Sequence, residues 1–317
     1  MKLGILGAGG IASTMAKTVA GMKDVEAYAV AARDLERARV FAQKYEVKKA
    51  YGSYEEMLAD DEVELVYIAT PHSHHYLHAK MCLEAGKHVL CEKPFTLCVD
   101  QAEELYELAE EKGYTFIHPF DDLAVATGQG TIAMEIFKEL PLVEYILVPI
   151  GGGGLATGVS TLAKLLNPKI KVIGVEPAEA ASMTAAIEAG HTVTLPSANT
   201  IADGTAVKKV GEQNLPYVME NVDQIVTVED DELVGAFLDM VENHKMVVEN
   251  SGLLSVAALK QLDLKGKKVV SILSGGNMDV ITMSSVVQHG LIQRDRIFSV
   301  SVLLPDKPGE LVKEAQI

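Results

Sequence analysis

Short apolar runs alternate with segments of helical spacing along the first 117 residues. The apolar runs predict strands at residues 2–6, 25–32, 65–69, 88–91 and 114–117. The segments with apolar residues three or four positions apart predict helices at residues 11–21, 35–44, 54–58, 75–85 and 99–112. Strict alternation of strand and helix with short connections predicts a doubly wound, parallel α/β sheet.

A second α/β pattern follows residue 117. Its apolar runs predict strands at residues 145–150, 171–175 and 267–273. Its helical segments are expected at residues 131–140, 159–166, 177–188, 231–242 and 253–262. A last strand is predicted at residues 296–304, and a helix begins behind it. The fold class is therefore α/β throughout, in three predicted parts at residues 1–117, 118–293 and 294–317.

Composition and charge narrow the classes of function. The 317 residues include 44 acidic and 28 basic side chains, and the net charge of −16 disfavours nucleic acid and anionic membrane surfaces as partners. No apolar run approaches the roughly 18 residues of a membrane span, and the N-terminus has no signal-peptide pattern. The cysteines, Cys82, Cys91 and Cys98, are odd in number and form no CxxC motif, which favours a reducing compartment. We therefore expect a cytoplasmic protein that binds small molecules, and that could form a homo-oligomer.

A glycine turn follows the first predicted strand. Residues 7–12 (GAGGIA) fit the pattern GxGxxA between a strand and a helix. In this pattern Gly7 allows the tight turn, Gly9 lets the backbone approach a pyrophosphate, and Ala12 packs the helix close to the sheet. The helix that opens near Ile11 offers unpaired N–H groups to phosphate. We therefore predict a Rossmann dinucleotide-binding domain over residues 1–117, with Gly7, Gly9, Ile11 and Ala12 at the cofactor.

The end of the second strand bears on the choice between NAD and NADP. Arg33 at this position suits the 2′-phosphate of NADP, whereas Asp34 could bind the ribose hydroxyl of NAD. Arg33 favours NADP over NAD, and a solvated surface charge is the alternative interpretation of that side chain. NADP or NAD is thus the predicted cofactor of the first part.

Two further segments carry a family resemblance. Residues 68–76 (IATPHSHHY) and 84–94 (EAGKHVLCEKP) resemble the glucose–fructose oxidoreductase / inositol dehydrogenase / MocA family. The resemblance implies an NAD(P)-dependent oxidoreductase of sugars or polyols. It implies that Lys93 is catalytic beside the nicotinamide, and that Thr70, His72, Glu92 and Lys93 line the cofactor. The antiparallel substrate domain of that family has no counterpart in the pattern after residue 117.

Four consecutive glycines follow the strand predicted at residues 145–150. Consecutive glycine N–H groups at a helix start form an anion nest, so we predict phosphate binding by Gly151, Gly152, Gly153, Gly154 and Leu155. A second glycine turn, residues 274–277 (SGGN), follows the strand at 267–273. Turns at the ends of parallel strands can converge on one ligand at the carboxyl edge of a sheet.

These turns, together with residues 118–122 (HPFDD), 128–131 (GQGT) and 174–177 (GVEP), resemble threonine dehydratase of the fold-type II pyridoxal-phosphate enzymes. The resemblance implies pyridoxal phosphate as cofactor, with Ser274 at the pyridine nitrogen and with Glu249 and Gly275 near the ring. We predict no metal, because Ser182 stands where some relatives carry an acidic ligand. Residues 296–317 resemble the start of an ACT-type regulatory domain.

Each part lacks a group that its chemistry needs. The Schiff-base lysine of the dehydratase family lies in a Ser-Phe-Lys motif ahead of this region, and this sequence has no such motif. We therefore predict a composite protein with non-covalent pyridoxal phosphate and impaired native turnover. Two alternatives stay open. One is a working threonine or serine ammonia-lyase that uses a lysine from the first part, and the other is a working NADP-dependent oxidoreductase.

Overall fold

The computed structural model describes residues 1–298, together with residues 303, 304 and 307. The chain divides into two units, Met1–Ile117 and His118–Ile317. Within the described residues, no helix combines the length and the apolar character that crossing a membrane requires. Residues 299–302 of the strand predicted at 296–304 lie outside the described residues, as do most of the helix predicted behind it and most of the part predicted at 294–317.

Five parallel strands form the sheet of the first unit. They are β1 (Lys2–Leu6), β2 (Glu26–Ala31), β3 (Lys49–Tyr51), β4 (Leu65–Ile68) and β5 (His88–Cys91). Their order is β3-β2-β1-β4-β5. The first strand therefore lies at the centre, with β2 and β3 added on one side of it and β4 and β5 on the other. Leu3 and Ile5 face one apolar core and Leu6 faces the other. Both faces of the sheet are therefore covered, and the predicted doubly wound architecture is confirmed.

Five helices cover these two faces. They are α1 (Gly10–Ala20), α2 (Leu35–Tyr45), α3 (Tyr54–Leu58), α4 (His75–Glu84) and α5 (Val99–Glu111). Side chains at the helix starts satisfy free backbone donors: Asp34 accepts from the N–H of Glu36, and Ser53 accepts from the N–H of Glu56. These caps fix where α2 and α3 leave the ends of their preceding strands.

The strand predicted at residues 114–117 is wrong. The N–H of Tyr114 donates to the carbonyl oxygen of Ala109 at 2.8 Å, so it closes the end of α5 instead of pairing with β5. Phe116 and Ile117 are 41% and 68% exposed. An apolar run of four residues marks an extended segment, but a strand also needs a backbone partner.

Four parallel strands form the sheet of the second unit. They are β6 (Tyr145–Pro149), β7 (Lys171–Pro177), β8 (Gln224–Val228) and β9 (Val269–Ser271), in the order β8-β7-β6-β9. The edge strand β8 was not predicted, because the polar residues Gln224 and Thr227 interrupt its apolar run and only Val228 is buried.

Eight helices accompany this sheet in the described residues. They are α6 (Leu123–Gln129), α7 (Thr131–Glu139), α8 (Gly154–Leu166), α9 (Ser182–Ala189), α10 (Asn214–Asn221), α11 (Asp230–Asp239), α12 (Asn250–Ala257) and α13 (Val280–Gln293). A π-helical turn, Met240–His244, continues α11. The prediction of a second parallel α/β unit is confirmed, although the sequence pattern did not predict α6, α10 and α13.

The helices α6 and α8 approach each other at a glycine. A Cβ atom on Gly158 would lie 2.0 Å from the carbonyl oxygen of Ala126 and 2.7 Å from the nitrogen of Gly130. Both of these atoms belong to the backbone, so they cannot rotate away as a side chain can. Gly158 therefore sets the distance between the two helices.

We expect Gly158→Ala to destabilise the protein by about 1–3 kcal/mol, because the added methyl group must push two backbones apart. The matched control is Gly128→Ala in α6, where a Cβ would meet nothing within 4 Å. That variant should be neutral or stabilising by up to about 1 kcal/mol, since alanine favours helix over glycine. Urea unfolding midpoints measure both effects. Equal midpoints for the two variants would contradict the close approach.

A buried histidine joins α4 to the loop after β4. Nδ1 of His78 lies 2.9 Å from the hydroxyl oxygen of Thr70, and the His78 ring meets that of Tyr54 edge-on. His78 is 6% exposed. Burial, with the neighbouring imidazoles of His74 and His75, lowers the pKa of His78 to about 4.

The free energy of unfolding should therefore fall as the pH drops below the pKa of a histidine in the unfolded chain, about 6.5. Between about pH 6.5 and pH 4 the unfolded chain binds a proton at His78, whereas the folded chain keeps His78 neutral. This difference lowers the free energy of unfolding by about 1–3 kcal/mol. Between pH 7 and pH 4.5, the loss of unfolding free energy, measured by urea unfolding, should be about 1–3 kcal/mol smaller in His78→Gln than in the parent. The exposed His88→Gln is the control and should follow the parent. A parallel decline in all three proteins would refute the assignment.

Candidate functional site

The glycine turn after β1 borders a cavity of about 420 Å³. Gly7 has φ of +106°, and a Cβ there would lie 2.9 Å from the carbonyl oxygen of Ala69, so only glycine fits. A Cβ on Gly9 or Gly10 would meet nothing within 4 Å. The N-terminus of α1 thus opens onto free space, which suits a pyrophosphate group.

Most of the residues predicted for the dinucleotide lie at this cavity. The predicted residues that line it are Gly7, Gly9, Ile11, Arg33 and Thr70. Ala12 is fully buried beneath the turn, where it lets α1 pack on the sheet. His72, Glu92 and Lys93 follow β4 and β5 at the same edge of the sheet but are not among the lining residues.

Two guanidinium groups give the cavity a positive wall. Arg33 and Arg37 both line it, and within the described residues neither forms an ion pair with a carboxylate. Nη2 of Arg37 donates to the carbonyl oxygen of Ala8 at 3.3 Å. Asp34 also lines the cavity, and its Oδ1 caps α2 by accepting from the N–H of Glu36 at 2.9 Å. The sequence analysis missed Arg37, although its place in the first turn of α2 was available as a signal.

The segment that carries Lys93 is anchored on both sides. The N–H of Glu92 donates to the carbonyl oxygen of Ile68 at 3.2 Å and so continues the β4–β5 ladder by one residue. The Glu92 carboxylate accepts from the hydroxyl of Tyr67 and from the N–H of Lys93. Burial and this carboxylate raise the pKa of Tyr67 well above its usual range. The side chain of Lys93 itself is exposed.

The four glycines of the second unit form a cup between β6 and α8. Gly152 and Gly153 are buried, and Gly153 has φ of +96°. Within the described part of the chain, the N–H groups of Gly151, Gly152 and Gly153 donate to no backbone carbonyl. Buried N–H groups without an acceptor are rare in folded proteins. The cup therefore fits an anionic group such as the phosphate of pyridoxal phosphate.

Side chains from distant segments support this cup. Nδ2 of Asn214 donates to the carbonyl oxygens of Phe120 and Gly152, at 2.8 and 3.1 Å. The ring of Phe120 fills the space where a Gly152 side chain would lie, and Gly151 packs against Thr205. Oδ1 of Asn214 is buried without a partner among the described residues. Asn214 and Thr205 were not predicted, and Phe120 was quoted only as part of residues 118–122, because the role of all three exists only through tertiary contacts.

The glycine turn at residues 274–277 lies beside the cup at residues 151–154. β9 pairs with β6, so the turns that follow these parallel strands leave the same edge of the sheet side by side. Glu249 holds the second turn: its Oε2 accepts from the N–H of Asn277 at 3.0 Å, and its own N–H donates to the carbonyl oxygen of Gly275 at 3.1 Å. Ser274 is exposed at this edge. The structure thus brings Glu249 and Gly275 into contact and places Ser274 next to them.

Glu176 has a structural role in this unit. Its carboxylate accepts from the N–H groups of Met183 and Thr184 at 2.7 and 2.9 Å, and from the hydroxyl of Thr184. Burial raises the pKa of Glu176. The carboxylate therefore caps the start of α9. Oγ of Ser182 is buried without a partner in the described part of the chain. The absence of a metal stays a prediction.

Known families match both units. Residues 65–275 match the family of pyridoxal-phosphate dependent enzymes, and residues 1–120 match the oxidoreductase family with an NAD-binding Rossmann fold. Both predicted resemblances are therefore confirmed. The descriptions of the two families also confirm pyridoxal phosphate and NAD(P) as the cofactors of the respective parts.

Individual relatives match about two thirds of the chain. The L-threonine ammonia-lyase of Thermotoga maritima is 42% identical over 214 residues, which are 66% of this chain and 53% of that protein. The L-threonine ammonia-lyase of Geobacter sulfurreducens is 45% identical over 209 residues, which are 65% of this chain and 52% of that protein. The chain thus spans about half the length of these curated relatives.

A solved structure shows the same fold relationship. The processed form of threonine deaminase isoform 2 from Solanum lycopersicum superimposes with a TM-score of 0.60 and 29% sequence identity. The superposition covers 86% of this chain and 77% of that structure. With the family match over residues 65–275 and the glycine cup at its centre, this chain belongs to the pyridoxal-phosphate dependent enzymes.

Proposed function

We propose that this chain is a composite protein that binds pyridoxal phosphate in its second unit and a nicotinamide dinucleotide in its first, with impaired native turnover in both. The observation that carries the proposal is the cup at Gly151–Gly153, whose N–H groups have no backbone acceptor among the described residues, in a chain whose sequence lacks the Ser-Phe-Lys motif. A phosphate cup supports cofactor binding, whereas a Schiff base needs a lysine amine.

The residues of the second unit divide the task of holding the cofactor. Glycine N–H groups would hold its phosphate, and Glu249 would keep the second glycine turn in place beside it. The hydroxyl of Ser274 would form a hydrogen bond with the pyridine nitrogen. Pyridoxal phosphate supplies an electron sink for carbanions when it is bound. Without a lysine at the aldehyde, this unit would hold the cofactor non-covalently.

A working threonine or serine ammonia-lyase is the second candidate. It is favoured by the 45% identity to the L-threonine ammonia-lyase of Geobacter sulfurreducens over about two thirds of this chain. This function requires a lysine from elsewhere in the chain to form the Schiff base and to remove the substrate proton.

A working NADP-dependent oxidoreductase of sugars or polyols is the third candidate. It is favoured by the open glycine turn, by the positive wall of Arg33 and Arg37, and by Lys93 at the same edge of the sheet. A nicotinamide supplies hydride transfer when it is bound. The ammonium of Lys93 would orient a substrate hydroxyl and assist its deprotonation.

The cytoplasmic location, the homo-oligomer and the domain limits also stay predictions.

Pyridoxal phosphate binding separates the first two candidates. We expect calorimetry to show binding, and we expect borohydride to fix no cofactor on any lysine, as judged by peptide mass spectrometry. Ammonia release from threonine should be absent. Gly153→Ala should weaken binding about tenfold or more, because alanine is strained at φ of +96°. Gly128→Ala should bind like the parent. A fixed lysine adduct with brisk ammonia release would establish the lyase instead, and failure to bind would remove both candidates.

Dinucleotide selectivity tests the first unit. We expect Arg33→Ala and Arg37→Ala each to weaken NADP binding about tenfold, since a charged hydrogen bond to the 2′-phosphate is worth about 1.5–3 kcal/mol. NAD binding should change less than about threefold, because NAD lacks that phosphate. Arg39→Ala is the control, since Arg39 lies on the same helix, pairs with Glu36 and does not line the cavity. Calorimetry at constant salt measures all three variants. Equal losses for NADP and NAD would overturn the assignment of the 2′-phosphate site.

A further inference from the structure

The ammonium of Lys93 has no hydrogen-bond or ion-pair partner among the described residues, although a carboxylate precedes it in sequence. Some lysines elsewhere on this unit pair with a carboxylate. Lys80 lies beside Glu104, and Lys49 lies 2.9 Å from Asp60. The absence of a pair between Lys93 and Glu92, the residue directly before it, has a physical reason.

The reason is that Glu92 is already occupied. The hydroxyl of Tyr67, on the neighbouring strand β4, donates to Oε1 of Glu92. The backbone N–H of Lys93 donates to Oε2 at 3.3 Å. Tyr67 is 3% exposed, so its hydroxyl is fixed by the packing of the sheet and cannot follow the carboxylate outward. Both oxygens of Glu92 thus already accept a hydrogen bond.

The backbone on the far side of Lys93 is fixed as well. Nδ1 of the fully buried His75 lies 2.7 Å from the carbonyl oxygen of Pro94. With the Glu92 amide tied to Ile68, the main chain is anchored immediately before and after Lys93. Only the lysine side chain is left to move, and it extends from the carboxyl edge of the sheet.

We propose that Tyr67 is a positioning residue that holds the Glu92 carboxylate away from the Lys93 ammonium and so keeps that ammonium available for a hydroxyl-bearing or anionic substrate. The use of the ammonium rests on the proposed oxidoreductase role of this unit. The hold on Glu92 is a property of the folded chain and needs no cofactor. Without the Tyr67 hydroxyl, the freed carboxylate can turn to the ammonium of Lys93, the next residue in the chain.

Acylation of individual lysines tests this directly. The full chain is treated with limiting acetic anhydride at several values between pH 7 and pH 10, and each lysine is quantified by peptide mass spectrometry. Tyr67→Phe should slow acylation of Lys93 about two- to fivefold, the effect of one exposed ion pair, and should move its pH midpoint upward. Tyr76→Phe is the matched control. It removes a hydroxyl that donates to Glu104, which already pairs with Lys80. Lys93 should react there as in the parent.

Two variants at Glu92 complete the test. Glu92→Gln alone should leave Lys93 acylation within about twofold of the parent, because the native carboxylate does not pair with the lysine. The double variant Tyr67→Phe/Glu92→Gln should restore the parent rate and midpoint. A parent-like profile in Tyr67→Phe would overturn the proposal. So would a large acceleration in Glu92→Gln, since it would reveal a native Glu92–Lys93 pair. Calorimetry with NADP on the same samples reports separately on the proposed function.

Discussion

Backbone N–H groups that face outward at the carboxyl end of a parallel strand are the constraint on which both units depend. An amide can serve a ligand only if no internal carbonyl accepts from it, and the chain must bend tightly to achieve this. At Gly7 the bend requires positive φ and leaves no room for a Cβ atom beside Ala69. At Gly153 positive φ recurs, and the neighbouring amides are buried. Strand, glycine turn and helix follow in the same order in each unit because the same donor array is required.

The sequence predicted well those features that depend on neighbours in the chain. The turn at residues 7–12 and the cup at residues 151–155 were recognised because strand, glycines and helix follow one another directly. The segment at residues 114–117 was misjudged for the opposite reason. Its backbone partner is the carbonyl oxygen of Ala109, and hydrophobic periodicity does not indicate which carbonyl an amide will reach. The short edge strand β3 carries too few residues for any periodic pattern.

The same distinction applies to the sites. Arg33 was found from its position at a strand end, whereas Arg37 was not named although the start of its helix was predicted correctly, because only the folded structure shows that both side chains line one cavity. Asn214 supports the cup although 62 residues separate it from Gly152. Tyr67 stands in a buried apolar strand, where its ring would be assigned to the core. Its hydroxyl gains a role only because β4 and β5 are neighbours in the sheet.

The turn at residues 7–12 and the cup at residues 151–155 share a practical consequence. Main-chain donors recognise the tetrahedral oxyanion and very little of the molecule attached to it. Orthophosphate or sulfate in a purification buffer would therefore occupy both turns and mask two unrelated cofactors at once. Dialysis into a buffer without oxyanions is consequently the step on which any comparison of the two halves depends.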